Sequence, residues 1–201
     1  GIKLKLVLTP GADKLGTTDV NISVDEKFPL HLTFLLDNGG RSTIGKTRVG
    51  FILQHDSLFK QRDKLTIGTM FNKHSVTPFV DYNIPVNKKD GRVGVSYSAS
   101  NSTIAHGPYR IFNIQSISNT VSLYYNQPII RKPYMELSSI SSLDYKWTRT
   151  KFDGYSVSRN EIASAQSGLI FRYDTERGIW YFSQSAGYAF PLFDSTSNYV
   201  K

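Results

Sequence analysis

The feature that most limits what this chain can become is its period. From about residue 28 onward, apolar and polar residues exchange places at every second position, run after run. A β-strand turns successive side chains to opposite faces, so this period gives each strand one apolar stripe and one polar stripe. "FPLHLTFLLD" sets Leu30, Leu32, Phe34 and Leu36 against His31, Thr33 and Asp37. "GKTRVGFILQ" sets Val49, Phe51 and Leu53 against Lys46, Arg48, Gly50 and Gln54. The rhythm returns at Leu65, Ile67 and Phe71, then at Val80, Tyr82 and Ile84, then at Val93, Val95, Tyr97 and Ala99. It returns again at Val121, Leu123 and Tyr125, and in three longer runs over residues 135–147, 161–173 and 180–190. That is about nine strand-like runs, and no segment longer than a turn or two repeats at 3.6 residues. The chain is therefore expected to be all-β and antiparallel.

The first 27 residues have a separate rhythm. Ile2, Leu4, Leu6 and Leu8 oppose Lys3 and Lys5; "PGADKLGTTD" reads as a turn; Val20, Ile22 and Val24 alternate again. Residues 1–27 thus predict a strand pair closing a small domain, with a second unit over residues 28–201. In that second unit, compact connections are expected near 57–62, 86–91, 128–133 and 174–178. Longer ones are expected near 38–45, 101–118 and 149–159, with a short one near 73–76.

Two architectures explain the alternation. In a soluble antiparallel sheet the apolar face packs on a core and the other is wet. In a membrane barrel the apolar face touches lipid and the polar face lines a lumen. Three features lean toward the barrel. The later runs match the roughly 9–11 residues that cross a bilayer at a tilt. Tyr82, Tyr97, Tyr125, Tyr145, Trp147, Tyr173, Trp180 and Tyr188 fall near the ends of apolar stripes, as interfacial girdles do. Arg48, Asp81, Arg92, Glu136, Asp144, Lys146 and Arg172 stand on the polar stripes among Ser, Gly and Asn. A solvated channel tolerates such charges and lipid does not, so these seven are the candidate lumen-facing residues. On composition alone a soluble β-sandwich stays open.

Composition excludes several other functions. There is no cysteine, hence no disulfide framework and no thiolate metal site. The net charge of +8 comes from basic residues spread along the chain, with the densest runs, "NKKDGR" and "RKPY", in turn-like settings. Nucleic-acid binding needs them clustered with stacking aromatics, so no nucleic-acid partner is expected. No segment approaches the roughly 20 apolar residues of a membrane helix. The chain begins at Gly1 rather than Met, which reads as either a mature fragment or an excised piece, and either leaves room for a targeting segment removed upstream.

Chemistry-bearing motifs are sparse. His31, His55, His74 and His106 are far apart in sequence and lack metal-ligand spacing. His55-Asp56-Ser57 contains hydrolase residue types, but a triad is defined by spatial geometry and its members normally come from distant segments. No Gly-x-Ser-x-Gly elbow occurs, "GADKLG" lacks a dinucleotide fingerprint, and "NGG" is expected to be a hairpin turn. An enzyme is not expected, nor a metal or cofactor, although a Ser–His pair assembled from distant residues stays open.

Several segments, in order, resemble the two-partner secretion transporters of the haemolysin-activator type. "LTPGADKLGTTDVNISV" is similar to the exit from the last polypeptide-transport-associated (POTRA) domain. "LLDNGGRSTIGKTRVGFILQHDSLFKQRDKLTIG" resembles the first barrel hairpins. "YNIPVNKKDGRVGVSYS" and "YNQPIIRKPY" resemble later hairpins turning on the periplasmic side. The resemblance covers about residues 4–190. It implies the C-terminal strands of a POTRA domain over 1–27 and the N-terminal part of an outer-membrane β-barrel over 28–201. It also implies translocation of an exoprotein, an adhesin or haemolysin, across that membrane without cofactor. The implied partners are the exoprotein, membrane lipid and lipopolysaccharide. Barrel-protein assembly and insertion is a related alternative, and a soluble β-rich binding module an unrelated one. Two departures stand out: the family's Val-Arg-Gly-Tyr/Phe element has no match, and its turn "NPLGLGD" is here "DSLFKQRD", with Phe59-Lys60-Gln61 in the Gly-rich part.

Overall fold

The structure, a computed structural model, describes residues 2–10, 18–26 and 28–190. Strands β1 (Ile2–Pro10) and β2 (Thr18–Glu26) form an antiparallel pair, from Ile2 opposite Glu26 to Pro10 opposite Thr18. Most of the expected turn between them lies outside the described residues. A second sheet contains β3 (Leu30–Asp37), β4 (Arg48–Asp56), β5 (Lys64–Asn72), β6 (Ser75–Pro85) and β7 (Arg92–Thr103). It continues with β8 (Gln115–Lys132), β9 (Met135–Phe152), β10 (Tyr155–Thr175) and β11 (Gly178–Phe190). The order is a plain meander, every strand pairing only with its neighbours in sequence, so β3 and β11 are its two edges. The nine expected runs are the nine observed strands. One 3-10 turn, Pro108–Phe112, interrupts the β7–β8 connection.

Directly opposed residues in an antiparallel pair share a face, so the register maps both surfaces. One row across the sheet reads Leu32, Leu53, Ile67, Val80, Tyr97, Val121, Tyr145 and Ala163. The adjacent row, on the other face, reads His31, Gln54, Thr66, Asp81, Ser96, Ser122, Asp144 and Ser164. Eight strands thus agree on which side is apolar, and a slip of one residue in any of them would break both rows.

Among the described residues, no second layer covers the apolar face. Among the described residues Ala163 is the only buried hydrophobic one, whereas Leu32 is 75% exposed and Phe34, Phe51, Ile67, Leu123 and Leu143 are exposed. A water-soluble domain must bury such side chains, at about 25 cal/mol per Å². This sheet therefore has the surface of a membrane barrel wall, and the soluble β-sandwich is set aside.

Aromatic rings mark the ends of the apolar band. Tyr97, Tyr145 and Trp147 cluster at one end, with ring centroids 6.5 Å and 5.6 Å from Trp147. Tyr134 and Tyr173 meet edge to face at 6.2 Å at the other. Trp147 and Met135, the latter opposite Tyr173, are twelve residues apart on β9, about 40 Å of strand. At a barrel tilt near 45° that spans about 30 Å, the thickness of a hydrocarbon core.

The connections partly correct the sequence reading. A long loop was expected over 149–159, but β9 and β10 run on to a two-residue turn, Asp153-Gly154. The alternation fades there because both faces become polar: Arg149 stands opposite Arg159, and Arg159 pairs with Glu161 at 2.7 Å. The 101–118 loop narrows to 104–114, and "NGG" belongs to a ten-residue connection, 38–47, rather than to a tight hairpin. In the turn 57–63, Ser57, Lys60 and Arg62 have φ of 68°, 60° and 59°. That region favours glycine, so Ser57, Lys60 and Arg62 hold a backbone conformation that side chains rarely adopt.

Candidate functional site

Every one of Arg48, Asp81, Arg92, Glu136, Asp144, Lys146 and Arg172 lies on the polar face by register. Three of them join one network. Asp81 accepts hydrogen bonds from Tyr124 Oη at 2.7 Å and from Asn83 Nδ2 at 2.9 Å. Arg92 Nε donates to Asn83 Oδ1 at 2.7 Å and its Nη2 to the Arg62 carbonyl at 2.8 Å. Asp90 collects three guanidinium groups: Arg131 at 3.2 Å, Arg92 at 3.4 Å and Arg62 at 3.5 Å. Arg131 also reaches Glu136 at 3.3 Å, and Ser138 Oγ donates to the same oxygen at 3.5 Å. The cluster thus crosses four strands and two turns, with Arg62, Arg92 and Arg131 balancing Asp81, Asp90 and Glu136.

The other four candidates stand apart from it. Arg48 is held by Asp37 in a forked pair at 2.8 and 3.0 Å. Asp144 accepts from Ser142 at 2.8 Å, and Arg172 pairs with Asp174 at 2.9 Å. Lys146 faces Thr120 and Ile162 in register. Sequence reading missed Tyr124, Asn83, Asp90, Arg62 and Arg131. Their signal was present but weak: "YY" at 124–125 and "NKKDGR" at 87–92 place polar groups where a plain alternation needs none.

Glycines shape this face as much as charges do. Gly94 stands directly opposite Tyr124, and a Cβ on it would come within 2.3 Å of the tyrosine ring. Gly68 stands opposite Phe79 with the same consequence at 2.4 Å. Each ring reaches over the neighbouring strand, covering a glycine that has no side chain to pack (an arrangement that pins register). For Tyr124 this pose also delivers the hydroxyl to Asp81.

Two turn carboxylates anchor one end of the wall. Asp63 is 1% exposed. Burial pushes its carboxyl up, but the amides of Phe59 and Gln61, at 3.1 and 3.3 Å, help hold it below the ordinary carboxylate range. Asp90 is likewise pushed up by burial and held down more strongly by the Arg131, Arg92 and Arg62 guanidiniums. Carboxylates depressed in the folded state stabilise above their unfolded pKa, about 3.9, and that stabilisation is lost as pH falls through the lower folded value. Asp63→Asn is expected to cost about 1–3 kcal/mol at pH 7, because a buried charge-assisted cap becomes neutral. The loss should begin to shrink below about pH 4, where unfolding begins to take up a proton at Asp63, and disappear only below the lower folded value. Urea unfolding of the folded barrel at pH 7 and pH 3 measures both.

Other sequence candidates do not assemble. Asp56 faces His31 at 3.3 Å, Lys64 at 3.9 Å and Gln54 at 2.9 Å, while His55 lies on the opposite face. No group of three or more metal-ligating side chains occurs among the described residues. His74 and His106, remote in sequence, do meet, with ring centroids 5.7 Å apart.

A single-layer antiparallel sheet with an exposed apolar band between aromatic girdles and a charged, hydrogen-bonded opposite face defines an outer-membrane β-barrel wall. The chain belongs to the haemolysin secretion/activation protein family ShlB/FhaC/HecB, whose model matches residues 16–200. Its fold is similar to that of three solved structures. CdiB from Escherichia coli superposes with a TM-score of 0.74 at 18% identity, over 98% of this chain and 38% of that one. CdiB from Acinetobacter baumannii gives 0.65 at 13% identity, over 94% and 38%. BamA from Haemophilus ducreyi lacking POTRA domains 1-3 gives 0.64 at 13%, over 96% and 40%. The chain thus spans about two-fifths of the length of these structures. A search of curated proteins gave no match.

Proposed function

We propose that this sequence forms the N-terminal wall of a two-partner secretion pore, through which an exoprotein of the adhesin or haemolysin type crosses the outer membrane. The observation that carries the reading is the division of the sheet into an uncovered apolar face and a charge-balanced polar face. The first contacts acyl chains. The second, with Arg48, Asp81, Arg92, Glu136, Asp144, Lys146 and Arg172, borders the water-filled lumen. Fixed groups of both signs let a passing unfolded chain exchange hydrogen bonds without a deep electrostatic trap. Residues 1–27 serve as the last strands of a POTRA domain, and residues 28–201 open the barrel. The longer connections, 38–47 and 104–114, face the cell exterior, and 57–63, 86–91, 133–134 and 176–177 face the periplasm, the common asymmetry of such barrels. No covalent step or cofactor enters.

The test is a strain lacking the gene that encodes this chain, complemented with the intact gene. Surface exoprotein should disappear in the deletion and return on complementation, with other outer-membrane proteins at constant level. General depletion of those proteins would instead assign the chain to barrel-protein assembly and insertion.

A further inference from the structure

Three connections meet at the end of the sheet assigned to the exterior. The His74 amide donates to the Ile44 carbonyl at 3.0 Å, those of Ala105 and His106 to Thr43 at 3.0 and 3.3 Å, and that of Thr103 to His74 at 2.9 Å. This stitching fixes a cavity of about 630 Å³ whose lining includes Lys46, Val49, Phe71, Lys73 and His106. Val49 and Phe71 oppose each other on the uncovered apolar face and are the last apolar members of β4 and β5 at this end. Beyond them Lys46 and Lys73 are exposed, and neither enters an ion pair among the described residues. Asp37, the carboxylate at the end of β3, is committed to Arg48 on the other face.

The cavity therefore has an apolar floor continuous with the lipid-facing band and a cationic rim at the level where headgroups begin. That pairing matches an amphiphile with acyl chains and an anionic head. We propose that it binds a phosphorylated glycolipid of the outer leaflet, of the lipid A kind. Lys46 and Lys73 take a headgroup phosphate, and Val49 and Phe71 contact the first acyl carbons. The assignment rests on the membrane placement and orientation given under Proposed function. Two lysines at such a surface contribute enough to matter, since each basic residue near an anionic headgroup layer is worth about 1 kcal/mol.

The natural protein, inserted in phospholipid nanodiscs free of lipopolysaccharide, is titrated with diphosphorylated lipid A and bound lipid is counted by native mass spectrometry. Lys46→Glu/Lys73→Glu is expected to weaken binding about 30-fold or more. Lys88→Glu/Lys89→Glu, at the opposite end, should leave it unchanged. Fully dephosphorylated lipid A should bind the unsubstituted protein as weakly as the Lys46/Lys73 variant binds the diphosphorylated form. Equal affinity for both lipids, or an unaffected Lys46/Lys73 variant, overturns the site. Displacement by millimolar inorganic phosphate would reduce it to a bare anion site and overturn the glycolipid assignment. Exoprotein secretion is scored in parallel: a protein that inserts and secretes without phosphate-dependent lipid binding sinks this inference alone. One that fails to insert without substitution sinks the pore reading as well.

Discussion

Leu123→Arg is expected to destabilise the inserted barrel by about 2–4 kcal/mol, the cost of a cationic side chain on the lipid face near mid-membrane. Leu123 occupies the middle of β8 on the apolar face, opposite Val95 on one side and Leu143 on the other. Each of the three is exposed, so nothing in the protein would receive the guanidinium. Ser122→Arg places the same group one residue earlier, in the row that contains Asp81 and Asp144. There it meets water and carboxylates, and a change within about 0.5 kcal/mol is expected. Urea titration in lipid vesicles, read by heat-modifiable mobility, compares the two. Equal losses from Leu123→Arg and Ser122→Arg would mean that the faces do not differ in solvent.

The second large effect is expected at Gly94. A Cβ there meets the Tyr124 ring at 2.3 Å and its hydroxyl at 2.5 Å, so the ring must leave its place over the strand. Gly94→Val should then cost about 2–3 kcal/mol, as overpacking removes the Asp81 hydrogen bond as well. Tyr124→Ala alone should cost less, because its cavity opens to the polar face. Combining Gly94→Val with Tyr124→Ala should recover about 1 kcal/mol or more relative to the sum, since the clash with the ring no longer exists and only the Asn83 Cβ, at 2.8 Å, is left in close contact. Simple additivity would show that the ring does not lie over Gly94.

These two sites mark what the sequence disclosed and what it concealed. The partition behind Leu123 was legible because period 2 is a local signal repeated over nine strands, each confirming the others. The Tyr124–Gly94 contact was not, because it joins residues thirty positions apart and depends on which residue opposes which. Register follows from turn geometry that composition only hints at. The lengths of β9 and β10 were hidden for another reason: beyond Trp147 both faces carry polar residues, Thr148 to Lys151, and the alternation disappears. Leu35, Ile52 and Phe79 fall on the polar face by register, so that face is less uniform than the alternation implied. Asp63 looked like an ordinary turn residue, and only its burial under the amides of its own loop sets it apart. The Asp90 cluster draws on Arg62, Arg92 and Arg131, three separated stretches that only the meander brings side by side.

The most direct test uses the absence of cysteine from the sequence. Thr120→Cys, Val121→Cys, Ser122→Cys and Leu123→Cys, each made singly as the one cysteine of the natural protein, are spin-labelled in liposomes. Collision rates with oxygen, concentrated in lipid, are compared with those of a water-soluble nickel chelate. Labels at 121 and 123 should collide mainly with oxygen, and labels at 120 and 122 mainly with the chelate. The reverse order, or four sites with the same ratio, would contradict the assignment of the apolar face to lipid and the polar face to a water-filled bore.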